Sequence, residues 1–205
     1  MVRDPRDVAV SYYHHEHDKE KVFTGGLDDF VRSDIYGIER QSRFVLMMLD
    51  MFDRHGGPKH FLTYEDLHRD ARKTFRDGLD FIFLSDMDDA AYACALEESR
   101  FDNMRRDEME ASKSATGFHR LATPGWSGDT NALKVRAGNV SGYESAMSER
   151  LKAEVLVPPF TGRLIERLNW RKNPWLARAM NRRNLSESTA FTMIVETLRP
   201  AGSGR

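Results

Sequence analysis

Apolar positions along this chain recur mostly at helical spacing, and strand-like runs are few. The opening run Met1-Val2-Arg3-Asp4-Pro5-Arg6-Asp7 sets the first boundary. Asp4 is a good N-cap, because its short carboxylate can accept a free amide of the first turn. Pro5 suits the first helical position, where no amide hydrogen is needed. A helix is therefore expected over 5–17, with Met1 and Val2 as the last residues of a preceding strand. Residues 25–33 read as a loop holding a short helix. From 34 to 54, Ile38, Val45, Met48, Leu49 and Phe52 mark a helical stripe that Gly56-Gly57 ends. His60-Phe61-Leu62-Thr63 is short, partly apolar and follows a proline, so a strand is expected there. A long helix follows, with Leu67, Ala71, Phe75, Leu79 and Ile82 on one stripe. Ser85 and Asp88 form a capping-box-like pair ahead of another helix at about 86–99.

From 104 to 135 the chain is polar, rich in Gly, Ser and Thr, and reads as irregular; structureless segments of that length tend to carry function. After Arg136 and Gly138 a short helix is expected to about 152. Pro158-Pro159 marks a boundary, giving a domain over 1–157 and a basic, partly helical tail over 158–205 with a frayed end. Helices alternating with short strands indicate an α/β fold with an incomplete parallel sheet and flanking helices. A two-residue strand cannot anchor a sheet, so the expectation is that part of the sheet lies upstream of Met1.

Composition narrows the classes. Hydrophobic residues make up 40% and charged residues 31%, enough apolar surface for a core. Lys and Arg number 31 against 32 Asp and Glu, so the basic excess of a general nucleic-acid or anionic-membrane binder is absent, although a local anion site remains open. No apolar run reaches the length of a membrane span and no signal-peptide pattern opens the chain, so a cytoplasmic location is expected. Cys94 is the single cysteine; within Ala91-Tyr92-Ala93-Cys94-Ala95-Leu96 it reads as a buried, inert thiol.

The first candidate for chemistry is the start of the 5–17 helix. Free amides and the partial positive charge of a helix N-terminus suit an anion. Arg3 can add a bidentate contact to a phosphate, and Ser11 lies one turn beyond Asp7. On spacing alone this is also what an ordinary helix start with a surface arginine looks like. His14-His15-Glu16-His17 puts two imidazoles one turn apart, but third and fourth ligands are not evident, so a solvated helix end and no metal are expected.

Four segments, in order, resemble the sulfotransferases that use 3′-phosphoadenosine 5′-phosphosulfate (PAPS) and release adenosine 3′,5′-bisphosphate (PAP). Arg3, Pro5, Asp7, Ser11, Tyr12 and Tyr13 are similar to that family's Arg-x-Pro-x-Asp-x-x-x-Ser segment. Leu62-Thr63-Tyr64-Glu65-Asp66-Leu67 resembles its strand-to-helix element, and Ser99-Arg100-Phe101 its hydroxyl-x-Phe element. Val135-Arg136-Ala137-Gly138-Asn139-Val140-Ser141-Gly142-Tyr143 resembles its Arg-x-Gly-x-x-Gly-x-Trp/Tyr element, with Ala137 where many members have Lys and Ser141 where they have Gly. The resemblance covers about 1–152. It implies a P-loop-like α/β fold in which Arg3, Ser11, Arg136 and Gly138 bind the 3′-phosphate of PAPS. Tyr64, Ser99 and Phe101 are implied to lie at the adenine.

The implied reaction is transfer of a sulfuryl group to an acceptor hydroxyl or amine. The family's lysine-bearing phosphosulfate loop and its proton acceptor lie upstream of the Arg3 segment, and no Gly-rich loop with Lys occurs here. The chain is therefore expected to be a truncated or split member holding the 3′-phosphate and adenine half of the site. The missing Gly-rich loop argues against a kinase-like relative. A non-catalytic nucleotide-binding or interaction module derived from the fold is the alternative.

Overall fold

The computed structural model describes residues 1–84, 86–113, 126–157 and 159–171. Helix α1 (Pro5–His14) starts as its cap requires: the Asp4 carboxylate accepts the Arg6 amide at 2.9 Å and pairs with the Arg6 guanidinium at 2.7 Å. The helix does not continue unchanged to 17. It widens into a π-helical turn, His15–Lys19. There Asp18 lies between the Nδ1 atoms of His14, at 2.5 Å, and His17, at 2.6 Å. Burial alone would raise the Asp18 acid, but its hydrogen bonds from the two imidazoles outweigh that and hold it below its ordinary value. A carboxylate thus satisfies the imidazoles, and among the described residues no cluster able to hold a metal is formed.

Helices α2 (Leu27–Arg32) and α3 (Ile38–Arg54) follow. The face α3 buries is Ile38, Ser42, Leu46 and Leu49, while Met48 is exposed. Of the expected stripe, Ile38 and Leu49 are buried and Val45 and Phe52 partly so; Met48 is the misplaced member and Leu46 the missed one, because residues 44–49 are all apolar and periodicity there marks no single face. The long helix expected after the strand is two helices, α4 (Tyr64–Arg69) and α5 (Ala71–Phe81). Asp70 divides them: it leaves helical geometry and accepts the Lys73 amide at 2.9 Å as the cap of α5. Asp88 caps α6 (Asp89–Glu98) through the Ala91 amide at 2.9 Å, whereas Ser85 lies outside the described residues.

Two expectations are corrected here. The first part of the stretch taken as irregular, 104–113, belongs to helix α7 (Phe101–Lys113), whose sole fully buried residue is Glu108, so no apolar stripe announces it; residues 114–125 lie outside the described residues. Cys94 is exposed, not buried, because α6 buries only Tyr92. A turn of 3-10 helix, Thr130–Ala132, leads to α8 (Tyr143–Ala146), α9 (Glu149–Glu154) and α10 (Pro159–Arg171).

The expected parallel sheet is also corrected. Among the described residues there is no strand, and one isolated parallel bridge joins Val2 to Thr63. The Val2 amide donates to the Leu62 carbonyl at 3.1 Å, and the Tyr64 amide to the Val2 carbonyl at 2.8 Å. Two short segments side by side supply these contacts and no further neighbour to extend them.

The main core gathers Ala9 and Val10 of α1, Val31, Ile38, Tyr143, Met147, Leu151 and Val155. Phe30 sits among Tyr12, Tyr13, Phe23 and Tyr36, with ring centroids 5.0 to 5.6 Å from its own, and this fixes α1 against α2. A second core packs Leu46 and Leu49 of α3 against Leu164 and Leu168 of α10. Glu39 holds the start of α10 by accepting the amides of Phe160 at 3.0 Å and Thr161 at 3.1 Å. No helix among the described residues is long and apolar enough to cross a membrane.

Candidate anion-binding site

Asp7, on the first turn of α1, organises the site. Its side chain is buried, and it accepts the Ser141 amide at 2.8 Å and the Tyr143 amide at 3.0 Å. Glu108 of α7, also buried, accepts the amides of Lys134 at 2.8 Å and Val135 at 2.7 Å. The strip 134–143 is thereby suspended between two buried carboxylates on different helices. Each hydrogen bond to a charged acceptor contributes on the order of 1.5–3 kcal/mol. Arg105 of α7 adds a bond to the Arg136 carbonyl, and the Arg6 guanidinium lies 3.9 Å from the Tyr143 ring centroid. Burial above all, aided by a hydrogen bond to Glu144 and partly opposed by Arg6, pushes the Tyr143 phenol up to about 12.

The strip turns at Gly138, where φ is +61°. A Cβ there would stand 2.2 Å from Cδ2 of Phe101. Both the left-handed backbone and the ring in contact require glycine. Phe101, the first residue of α7, thus closes one wall against the turn.

Between the strip, α1 and the start of α4 lies a cleft of about 200 Å³, lined by Arg3, Asp7, Ser11, Tyr64, Phe101, Met104, Lys134, Arg136 and Gly138 among others. Arg3 enters it just before α1. Its Nη2 donates to the Asn139 carbonyl at 2.7 Å and lies 3.5 Å from Asp7, and its guanidinium is 4.1 Å from the Tyr64 ring centroid. Its Nε is buried without a partner. Arg136 has no carboxylate or side-chain hydrogen-bond partner among the described residues. Burial lowers its guanidinium from the ordinary value; Asp18 opposes this, and Arg3 and Arg105 add to it. A half-buried cation flanked by two others, with no ion pair among the described residues, is stabilised by an anion that enters.

Six of the seven residues singled out from sequence therefore meet at one cleft: Arg3, Ser11, Tyr64, Phe101, Arg136 and Gly138. Ser99 does not line it. It ends α6 with its hydroxyl donated to the Ala95 carbonyl at 2.6 Å. Asp7, Arg105, Glu108 and Lys134 were given no role from sequence. Asp7 had a signal, lying one turn from both Arg3 and Ser11. Glu108 had none, because α7 was not recognised. Two guanidiniums and a hydroxyl beside two aromatic rings suit a ligand that joins an anion to a flat ring system. A larger hollow of about 560 Å³ between α3 and α9 contains none of the motif residues, and its lining holds three arginines and three carboxylates, of which Arg32 and Glu154 pair at 2.6 Å.

The sulfotransferase domain family matches residues 1–155, and the chain belongs to that family. Among solved structures it is similar to mouse sulfotransferase SULT7A1 complexed with PAP, with a TM-score of 0.55 and 18% identity. The match covers 88% of this chain and 60% of that one, and at this identity the likeness shows the fold alone. No curated protein matches the chain by sequence.

Proposed function

We propose that the cleft binds the 3′-phosphoadenosine portion of PAPS or PAP, and that the chain serves transfer of a sulfuryl group from PAPS to an acceptor hydroxyl or amine. The domain doing so spans 1–157. In this reading Arg3, Ser11 and Arg136 hold the 3′-phosphate, with Gly138 letting the backbone approach it, and Tyr64 and Phe101 flank the adenine. Ser99 is left out, since its hydroxyl already has a partner. PAPS, when bound, supplies the activated sulfuryl group; these residues grip and orient its nucleotide end. No metal is invoked. The observation that carries the reading is Arg136, half-buried and with no ion pair or side-chain hydrogen bond among the described residues, in one cleft with Arg3 and its unpartnered Nε. The PAP in the SULT7A1 complex supports the choice of nucleotide.

Calorimetry of the full chain tests this. PAP is expected to bind selectively over adenosine 5′-monophosphate, and Arg3→Ala and Arg136→Ala are each expected to abolish binding. Equal affinity for the two nucleotides, or wild-type PAP affinity in both variants, would refute the assignment.

A further inference from the structure

The cleft adjoins a hollow of about 540 Å³ beside α1 and the π-helical turn, and Arg3, Ser11, Lys134 and Arg136 line both. Three of these four, Arg3, Ser11 and Arg136, are the residues given to the 3′-phosphate in the reading above. The fourth is Lys134, an exposed residue that stands at the same shared wall. Its backbone is held from below. Glu108 is buried and takes the amides of Lys134 and Val135 at 2.8 and 2.7 Å, so one carboxylate fixes the stretch from which both Lys134 and Arg136 project.

Charge gives a third cation a task there. A phosphate monoester carries about −1.5 to −2 at neutral pH. Arg3 brings one positive charge, but Asp7 lies 3.5 Å from its Nη2 and offsets part of it, and the same nitrogen donates to the Asn139 carbonyl at 2.7 Å. Arg136 brings the second. Two guanidiniums, one of them shared with a carboxylate, fall short of a dianion. The other cations nearby are placed elsewhere. Arg105 donates to the Arg136 carbonyl and lines neither space. Arg6 pairs with Asp4 at 2.7 Å and lines neither. Lys19 lies 3.7 Å from Glu20 and lines only the hollow beside the π-helical turn. Lys134 is the cation left at the shared wall, and a lysine there is a compact charge on a flexible stem that can follow the phosphate.

We infer that Lys134 is a third cationic ligand of the 3′-phosphate, and that it contributes to selecting adenosine nucleotides phosphorylated at the 3′ position over those phosphorylated at the 5′ position alone. The inference rests on the reading that the cleft holds PAP.

The test titrates PAP, adenosine 3′-monophosphate and adenosine 5′-monophosphate into the full chain and into Lys134→Met, which keeps an unbranched stem and removes the charge. Lys134→Met is expected to weaken PAP and adenosine 3′-monophosphate each about fivefold, the upper range for a solvent-exposed ion pair. Adenosine 5′-monophosphate affinity is expected to stay within about twofold, which also shows that the variant folds. Lys134→Arg, which restores the charge, should bring PAP affinity back to within about twofold of wild type. The salt dependence of PAP affinity should be shallower in Lys134→Met than in wild type. Wild-type PAP affinity in Lys134→Met, with Arg136→Ala still abolishing binding, overturns the inference and leaves the nucleotide reading standing. An equal loss for adenosine 5′-monophosphate overturns it too, because the charge then serves the cleft at large and not the 3′ end. If the wild-type chain binds PAP no better than adenosine 5′-monophosphate, the nucleotide reading itself is refuted and the role of Lys134 falls with it.

Discussion

Replacing Asp7 with Asn is the most informative single change, because it alters charge and hydrogen bonding without altering shape. Asp7 accepts two amides, at 2.8 and 3.0 Å, from a segment more than 130 residues away in sequence, and is 2% exposed. Asn keeps one carbonyl oxygen, so one charged hydrogen bond becomes neutral. Its NH₂ then faces the other amide, donor against donor, inside the protein. Losing one charge-assisted bond and stranding a buried donor costs about 2–4 kcal/mol. With a urea slope of about 2 kcal/mol/M, the unfolding midpoint should fall by roughly 1–2 M with the slope unchanged. Asp50→Asn is the control: Asp50 pairs with Arg167 at 2.6 Å at the surface and should shift the midpoint little. PAP calorimetry on Asp7→Asn adds a discriminating sign. On charge alone the change should strengthen phosphate binding, since Asp7 lies 3.5 Å from the Arg3 guanidinium. If the carboxylate instead matters by holding the strip, affinity should drop about tenfold or more as the strip loosens. A wild-type midpoint together with equal or tighter PAP binding would refute the suspension of the strip.

Gly138→Ala should lose about 2–4 kcal/mol, from the left-handed backbone and from displacement of Phe101. The double variant Gly138→Ala/Phe101→Ala should cost less than the sum of the singles, and simple additivity in urea unfolding would contradict the contact. Tyr143 gives a pH signature. Its phenol is pushed to about 12 in the folded chain, against about 10 when unfolded. The folded state therefore keeps a proton that the unfolded state releases, and the associated stability is complete below pH ~10 and lost as pH rises toward ~12. Urea midpoints measured across that window should decline more in wild type than in Tyr143→Phe, and parallel curves would remove Tyr143 as the cause.

Local chemistry was well legible in the sequence. Asp4, Asp70 and Asp88 cap α1, α5 and α6 with the short carboxylates that residue type provides, although Asp70 went unread because an apolar spacing runs across it, and Asp88 was read as the partner of Ser85 and not as the cap itself. The cleft was legible through family resemblance, which brought together residues as distant as Arg3 and Arg136. Contacts that depend on tertiary placement were not. Glu108 looks like any surface glutamate until Lys134 and Val135 are seen to present their amides to it. Ser99 was misplaced for the converse reason: its position in a motif says nothing of the Ala95 carbonyl one turn back that takes its hydroxyl. Of the expected sheet the described residues hold one parallel bridge, Val2 to Thr63, because two short runs form strands only where neighbours complete their hydrogen bonds.

The bonds from Asp7 to Ser141 and Tyr143 join residues 134 and 136 apart. On a ribosome adding roughly 5–20 residues per second, the carboxylate of Asp7 emerges on the order of ten seconds before the amides it will hold. Until then Arg3 and Ser11 exist without the opposite wall of their cleft. The capacity to hold a ligand there arrives late and all at once, so ligand binding by a nascent chain marks the moment at which α1 and the strip 134–143 have closed on each other.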